Sequence, residues 1–205
     1  MLDILVAPAA AAHRIARDPR YLAPLVLCFV LPLAANLALI QPRNSAGNHE
    51  TILMALVSAA MQGIGAAVWI FLCFLLIGKV TRQQRNLPVA WSFGVNGSIV
   101  ASGIPALAQA AAVRIAEAVS GSVPLNMASI LPSLGWFEPQ GSVSAALLAP
   151  FDVFLIWQVV LFSQFLVAFG LAGWARWLLG TSIAVIPPLV FWALTNFMLT
   201  IFAHK

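Results

Sequence analysis

The stretch SAALLAPFDVFLIWQVVLFSQFLVAFGLAGWARW, residues 144–177, is almost unbroken apolar sequence from Phe151 to Gly173, yet it carries Asp152 at its edge and Gln158 and Gln164 inside. A helix needs about 20 such residues to cross the roughly 30 Å hydrocarbon layer of a bilayer. The composition of the whole chain agrees. Of 205 residues, 62% are hydrophobic and 8% charged, and the mean hydropathy is +0.98. A soluble domain carries about 25% charged residues, so this chain has too little polar surface to face water. The reading is an all-α fold, a polytopic helical bundle in a membrane, with no soluble module and no internal repeat.

Five segments are long and apolar enough to span: about 21–40, 52–78, 95–119, 151–173 and 183–202. The third is diluted by Ser98, Ser102, Gln109, Arg114 and Glu117. Lysine and arginine set orientation, because they are retained on the cytoplasmic side. Arg14, Arg17 and Arg20 precede the first span, Lys79, Arg82 and Arg85 follow the second, and Arg176 follows the fourth. In a five-span chain these fall on one side, so the N-terminus is expected inside and the C-terminus outside. All seven are candidates for contact with lipid headgroups. Residues 1–20 read as an amphipathic interfacial segment, with Leu2, Leu5, Val6, Ala9 and Ala12 on one side of a helical wheel. The first apolar run is too long for a cleaved signal core. Residues 120–149 form an apolar external segment; PLNMASILPSLGWF within it is too short to span and reads as re-entrant, interfacial or a docking surface.

Asp152 follows Pro150 and would stand in the first turn of an outside-to-inside span, where unpaired backbone N–H groups meet its carboxylate. Deeper in the bilayer a carboxylate would imply function; at the rim it serves as a helix start. Gln158, Gln164 and Asn196 are amides inside spans, suited either to hydrogen bonds between helices or to a polar path. Two ridges of small residues are expected to pack in the bundle interior: Gly94, Ser98 and Ser102 on the third span, and Ser163, Gly170 and Gly173 on the fourth. Phe162 and Phe165 then fall on the more tolerant side. Pro187 and Pro188 should kink the fifth span or delay its start.

Chemical machinery is sparse. There are six acidic residues, three histidines outside the spans and two isolated cysteines, Cys28 and Cys73. No catalytic, cofactor-binding or metal-ligating pattern is present. The basic residues form no stripe suited to nucleic acid.

Two stretches resemble bacterial members of the YIP (Ypt-interacting protein) domain family. LVAPAAAAHRIARDPRYLAPLV is similar to that family's entry into its first span. APFDVFLIWQVVLFSQFLVAFGLA is similar to a later span, with Pro150, Phe151, Asp152, Trp157 and Gly170 at the matching positions, and TSIAV follows where the family carries a serine-containing loop. His13 departs from the usual aromatic residue, and the Asp-Leu-Tyr-Gly-Pro and Gly-Tyr motifs of eukaryotic members are absent. The resemblance therefore does not carry the Rab-linked trafficking role. It implies a non-catalytic protein of the bacterial inner membrane that works beside another membrane complex, in some cases an ABC-type exporter. The expected partners are lipid and either another integral membrane protein or further copies of the chain. The alternative is a small transporter or channel with Asp152, Gln158, Gln164 and Asn196 along its path.

Overall fold

The computed structural model describes residues 3–39, 48–81, 87–120, 148 and 151–203, with side chains for these except 48–50, 120, 191, 192 and 194–203. Among the described residues the elements are helical: α1 (Asp3–Val6), α2 (Pro8–Arg17), α3 (Leu22–Leu39), α4 (Asn48–Val80), α5 (Leu87–Ser98), a π-helical turn (Ile99–Gly103), α6 (Ile104–Ser120), α7 (Val153–Ala168) and α8 (Ala175–Ala203). Three continuous helices are long and apolar enough to cross a membrane: Leu22–Leu39, Thr51–Val80 and Leu87–Val119, with Val153–Ala168 and Ala175–Val190 as shorter apolar segments. Arg82, Arg85 and nearly all of the segment 120–149 lie outside the described residues.

Helix α4 shows what solvent this fold is built for. Its inner face is Ala55, Ala59, Ala67, Ile70, Phe74 and Ile77, all buried. Its outer face is Leu53, Val57, Met61, Ile64, Val68, Leu72 and Leu76, exposed and equally apolar, with Met61 at 72% and Leu76 at 64%. Both faces recur at helical spacing. A soluble helix puts charge on its outer face; an apolar stripe this long fits lipid or the apolar face of another membrane helix.

The inner face grades from small to large, and the packing follows it. Pro32 in α3 has no N–H to return to the carbonyl of Cys28 one turn earlier. Gly63 of α4 fills that place: a Cβ on Gly63 would overlap the Cys28 carbonyl oxygen. The glycine lets the two backbones touch where the proline has loosened one of them. Further along, Ile70, Phe74 and Ile77 join Phe93 of α5, and Leu161, Phe162, Phe165, Leu166 and Phe169 at the end of α7, in one buried cluster. Phe93 stacks on Phe165 with centroids 4.5 Å apart, and Phe74 sits 5.2 Å from Phe93 and 5.4 Å from Phe169.

The first two helices dock onto this cluster. Ile4, Ala11, Ala12 and Ile15 are buried in it, and α2 packs on α7 and α5. Their buried face differs from the one a single helical wheel gives: Val6 is 82% exposed. The reason is Ala7, whose backbone (φ −139°, ψ 69°) leaves the helical region and breaks the register between α1 and α2. Arg14 spans the break through a bidentate pair with Asp3, at 2.8 and 2.9 Å. Burial alone would raise the Asp3 carboxyl, but the Arg14 hydrogen bonds and charge outweigh it and hold the group below its ordinary value of 3.8.

Helix α7 is shorter than the apolar stretch that contains it. Gly170, at φ 91°, stops it. The Gly170 N–H donates to the Val167 carbonyl and the Leu171 N–H to the Leu166 carbonyl, a Schellman closure that requires the left-handed conformation glycine adopts most easily. The 16 residues of α7 then span about 24 Å. Helix α8 starts earlier than expected, at Ala175, and continues through Pro187 and Pro188 without a break.

Candidate functional site

Helices α7 and α8 cross tightly at one point. Ser163 is buried there, its hydroxyl donates to the Arg176 carbonyl at 3.4 Å, and a Cβ on Gly180 would come within 2.6 Å of the Ser163 Oγ. Beyond that crossing, toward Asp152, lies a partly enclosed cavity of about 240 Å³. Its walls are Asp152, Phe154 and Gln158 of α7, Trp69 and Ile70 of α4, Ala101 and Pro105 beside the π-helical turn, and Ile183, Ala184, Pro187 and Pro188 of α8.

Proline explains much of this geometry. Pro187 offers no N–H to the Ile183 carbonyl, and the indole N–H of Trp69 supplies the donor instead, at 3.2 Å. Pro188 likewise has no N–H for the carbonyl of Ala184, which lies in the cavity wall. Pro105 follows the π-helical turn, where the Ile104 N–H reaches back five residues to Ile99. The wider turn gives the proline ring room that a regular helix would deny it. Ser98 and Ser102 donate their hydroxyls to the carbonyls of Val95 and Ser98, at 3.0 and 2.9 Å, steadying the backbone around the turn.

Asp152 is the N-cap of α7. Its backbone is extended, and its Oδ1 accepts the Leu155 N–H at 2.9 Å. The same side chain also borders the cavity, together with Gln158. The structure therefore brings two of the four polar candidates together. Gln164 is half-buried on α7 and is not in the cavity wall; Asn196 lies on α8, with its side chain outside the described set.

The small-residue candidates divide. Gly94 lies against α4, where a Cβ would come within 2.6 Å of the Ala67 carbonyl; Ser98 and Ser163 are buried and Ser102 half-buried. Gly170 and Gly173, expected on a packing ridge, are instead exposed in the α7–α8 link, with positive φ of 91° and 70°. They are chosen for backbone conformation. Ile156 of α7 is 68% exposed, while Phe162 and Phe165, expected on the more tolerant side, are wholly buried.

Among the described headgroup candidates, Arg14 and Arg17 lie in the last turn of α2 and Arg20 follows it, Lys79 is in the last turn of α4 and Arg176 in the first turn of α8. All belong to the end of the bundle on which α2 docks. Arg20 pairs with Asp18 at 2.7 Å, and the Arg176 guanidinium lies 5.3 Å from the Trp177 ring. At the opposite end Arg114 donates to the Ala38 carbonyl and to Glu117, both at 2.6 Å. Sequence reasoning passed over Gly63, Trp69 and Gly180, and also Asn96, buried in α5 with its amide donating to the Ser92 carbonyl at 2.8 Å. Among the described residues no group of three His, Cys, Asp or Glu is placed to hold a metal ion. No protein-family model, curated protein or solved structure matches the chain.

Proposed function

We propose that the chain is a non-catalytic, YIP-like protein of a bacterial inner membrane, crossing it five times with the N-terminus inside and the C-terminus outside. It acts as an accessory or scaffold subunit, through lateral contact with another integral membrane protein such as an ABC-type exporter. The gathering of Arg14, Arg17, Arg20, Lys79 and Arg176 at one end supports the orientation. A reporter fused to Lys205 should read as external; a cytoplasmic signal would overturn the five-span count.

The observation that carries the lateral-contact reading is on the outer face of α4. Gln62 is exposed close to the midpoint of Thr51–Val80, and its amide donates to the Ser58 hydroxyl at 3.1 Å on the same helix. Gly65 is exposed one turn on, with no atom within 4 Å of where its Cβ would stand. An amide facing hydrocarbon beside a bare stretch of backbone is costly against lipid and well suited to a second helix, since small residues and amide hydrogen bonds are what join helices in membranes. Purification from native membranes in mild detergent should yield a stoichiometric membrane-protein partner, lost in Gly65→Leu and Gln62→Leu without loss of the folded chain. A clean monomer from wild type would overturn the proposal.

The cavity beside Asp152 and Gln158 favours a second reading, a small transporter or channel. A cysteine at Gln158 reacting with a membrane-impermeant thiol reagent would strengthen it; an inert one would remove it.

A further inference from the structure

We infer that the cavity bounded by α4, α6, α7 and α8 is a binding site for a small organic ammonium ion, held by the Asp152 carboxylate against the rings of Trp69 and Phe154. This goes beyond the scaffold reading and does not depend on it. Four features of the wall carry it. First, among the described residues Asp152 is the one ionisable residue lining the cavity, with no lysine, arginine or histidine in that lining. A carboxylate in a low-dielectric wall without a cationic partner favours a positive guest. Second, that carboxylate is held in place, because one of its oxygens is fixed by the Leu155 N–H. Third, the larger ring is fixed, because the Trp69 indole is tied to the Ile183 carbonyl, and Phe154 and Phe162 line the same cavity. Rigid aromatic faces attract a cation that has shed its water.

The fourth feature decides the kind of cation. Among the described lining residues the polar side chains on offer are the Asp152 carboxylate and the Gln158 amide, the Trp69 indole N–H being already paired. These are too few to replace the oxygen shell of a calcium or magnesium ion, which takes about six or more ligands. A quaternary alkylammonium ion is weakly hydrated and needs one counter-charge and apolar walls, which this cavity supplies.

The test uses the full chain in neutral maltoside micelles, with calorimetric titration of benzyltrimethylammonium and of neopentylbenzene, its uncharged isostere. Saturable one-to-one binding is expected for the cation, with the isostere weaker by roughly tenfold or more. Asp152→Asn keeps the helix cap, since asparagine caps about as well as aspartate, and should bind the cation roughly tenfold more weakly at an unchanged melting temperature. Trp69→Phe, which keeps an aromatic face, should retain most of the binding. Short-chain phosphatidylcholine as competitor separates two sources of the same chemistry: displacement marks a lipid headgroup, and no displacement marks a free quaternary amine. Equal binding of the isostere, an Asp152→Asn protein that binds as wild type, displacement by low-millimolar sodium, or no saturable heat would each overturn the inference.

Discussion

The two halves of α7 lead different lives. From Leu161 to Phe169 it is locked among phenylalanines, and α2 closes over it. From Asp152 to Gln158 it borders open space between helices. Both halves are apolar and helical, so the difference is not one of composition. It comes from the neighbours. The closed half meets the large residues of α4 and α5, whereas the open half faces Ala66, Ala101, Ala184 and the prolines of α6 and α8, side chains too short to fill the space.

The tightest contact should be the most sensitive. Gly63→Ala puts a methyl group into the Cys28 carbonyl, where neither backbone can yield without moving α3 off α4. The expected result is loss of folded protein, seen as aggregation in size-exclusion chromatography; a normal elution profile would break the account of that crossing. Next comes the contrast within α7 itself. Phe165→Ala in the closed half should destabilise by about 3 kcal/mol or more, because the cavity it leaves cannot collapse. Phe154→Ala, at the edge of existing space, should cost about 1 kcal/mol or less. Thermal unfolding in detergent measures both, and equal losses would erase the distinction between the halves.

The smallest effect concerns the helices that close the tight end. The Asp3 carboxyl is held below 3.8 in the folded state, so its contribution is present above that value and fades as pH falls through the folded-state one. The side chain is 34% exposed, which keeps the contribution small. A spin label on Val6→Cys should report greater mobility of α1 below about pH 4 and none between pH 5 and 8. Unchanged mobility at low pH would leave the Arg14 pair without a role in docking.

Much of this architecture was legible, and what was not has one main cause. In a membrane, an apolar side chain is equally at home in the core and in lipid, so hydrophobicity marks spans but not faces. That is why Phe162 and Phe165 read as the more tolerant side of the helix when they are wholly buried. Small residues carry more information, yet their signal has two meanings. Gly94 permits close packing, while Gly170 ends a helix, and step spacing alone does not separate them. The N-cap role of Asp152 could be read because proline and a carboxylate before an apolar run have a local physical reason. Its place in the cavity could not, since that depends on Trp69 and Pro188, distant in sequence and adjacent only in the fold.

The docking of α2 on α7 also sets a clock for biogenesis. Residues 8–17 leave the ribosome before their seat is complete, because the α7 part of it is made of residues that emerge about 150 positions later. At about 5–20 residues per second, the leading helix waits roughly ten to thirty seconds before its resting place is complete. Until then α5 is present, but the cover that α7 gives Ile4, Ala11 and Ile15 is not. Whatever shelters them in that interval, whether headgroups or an insertion chaperone, takes part in making this molecule.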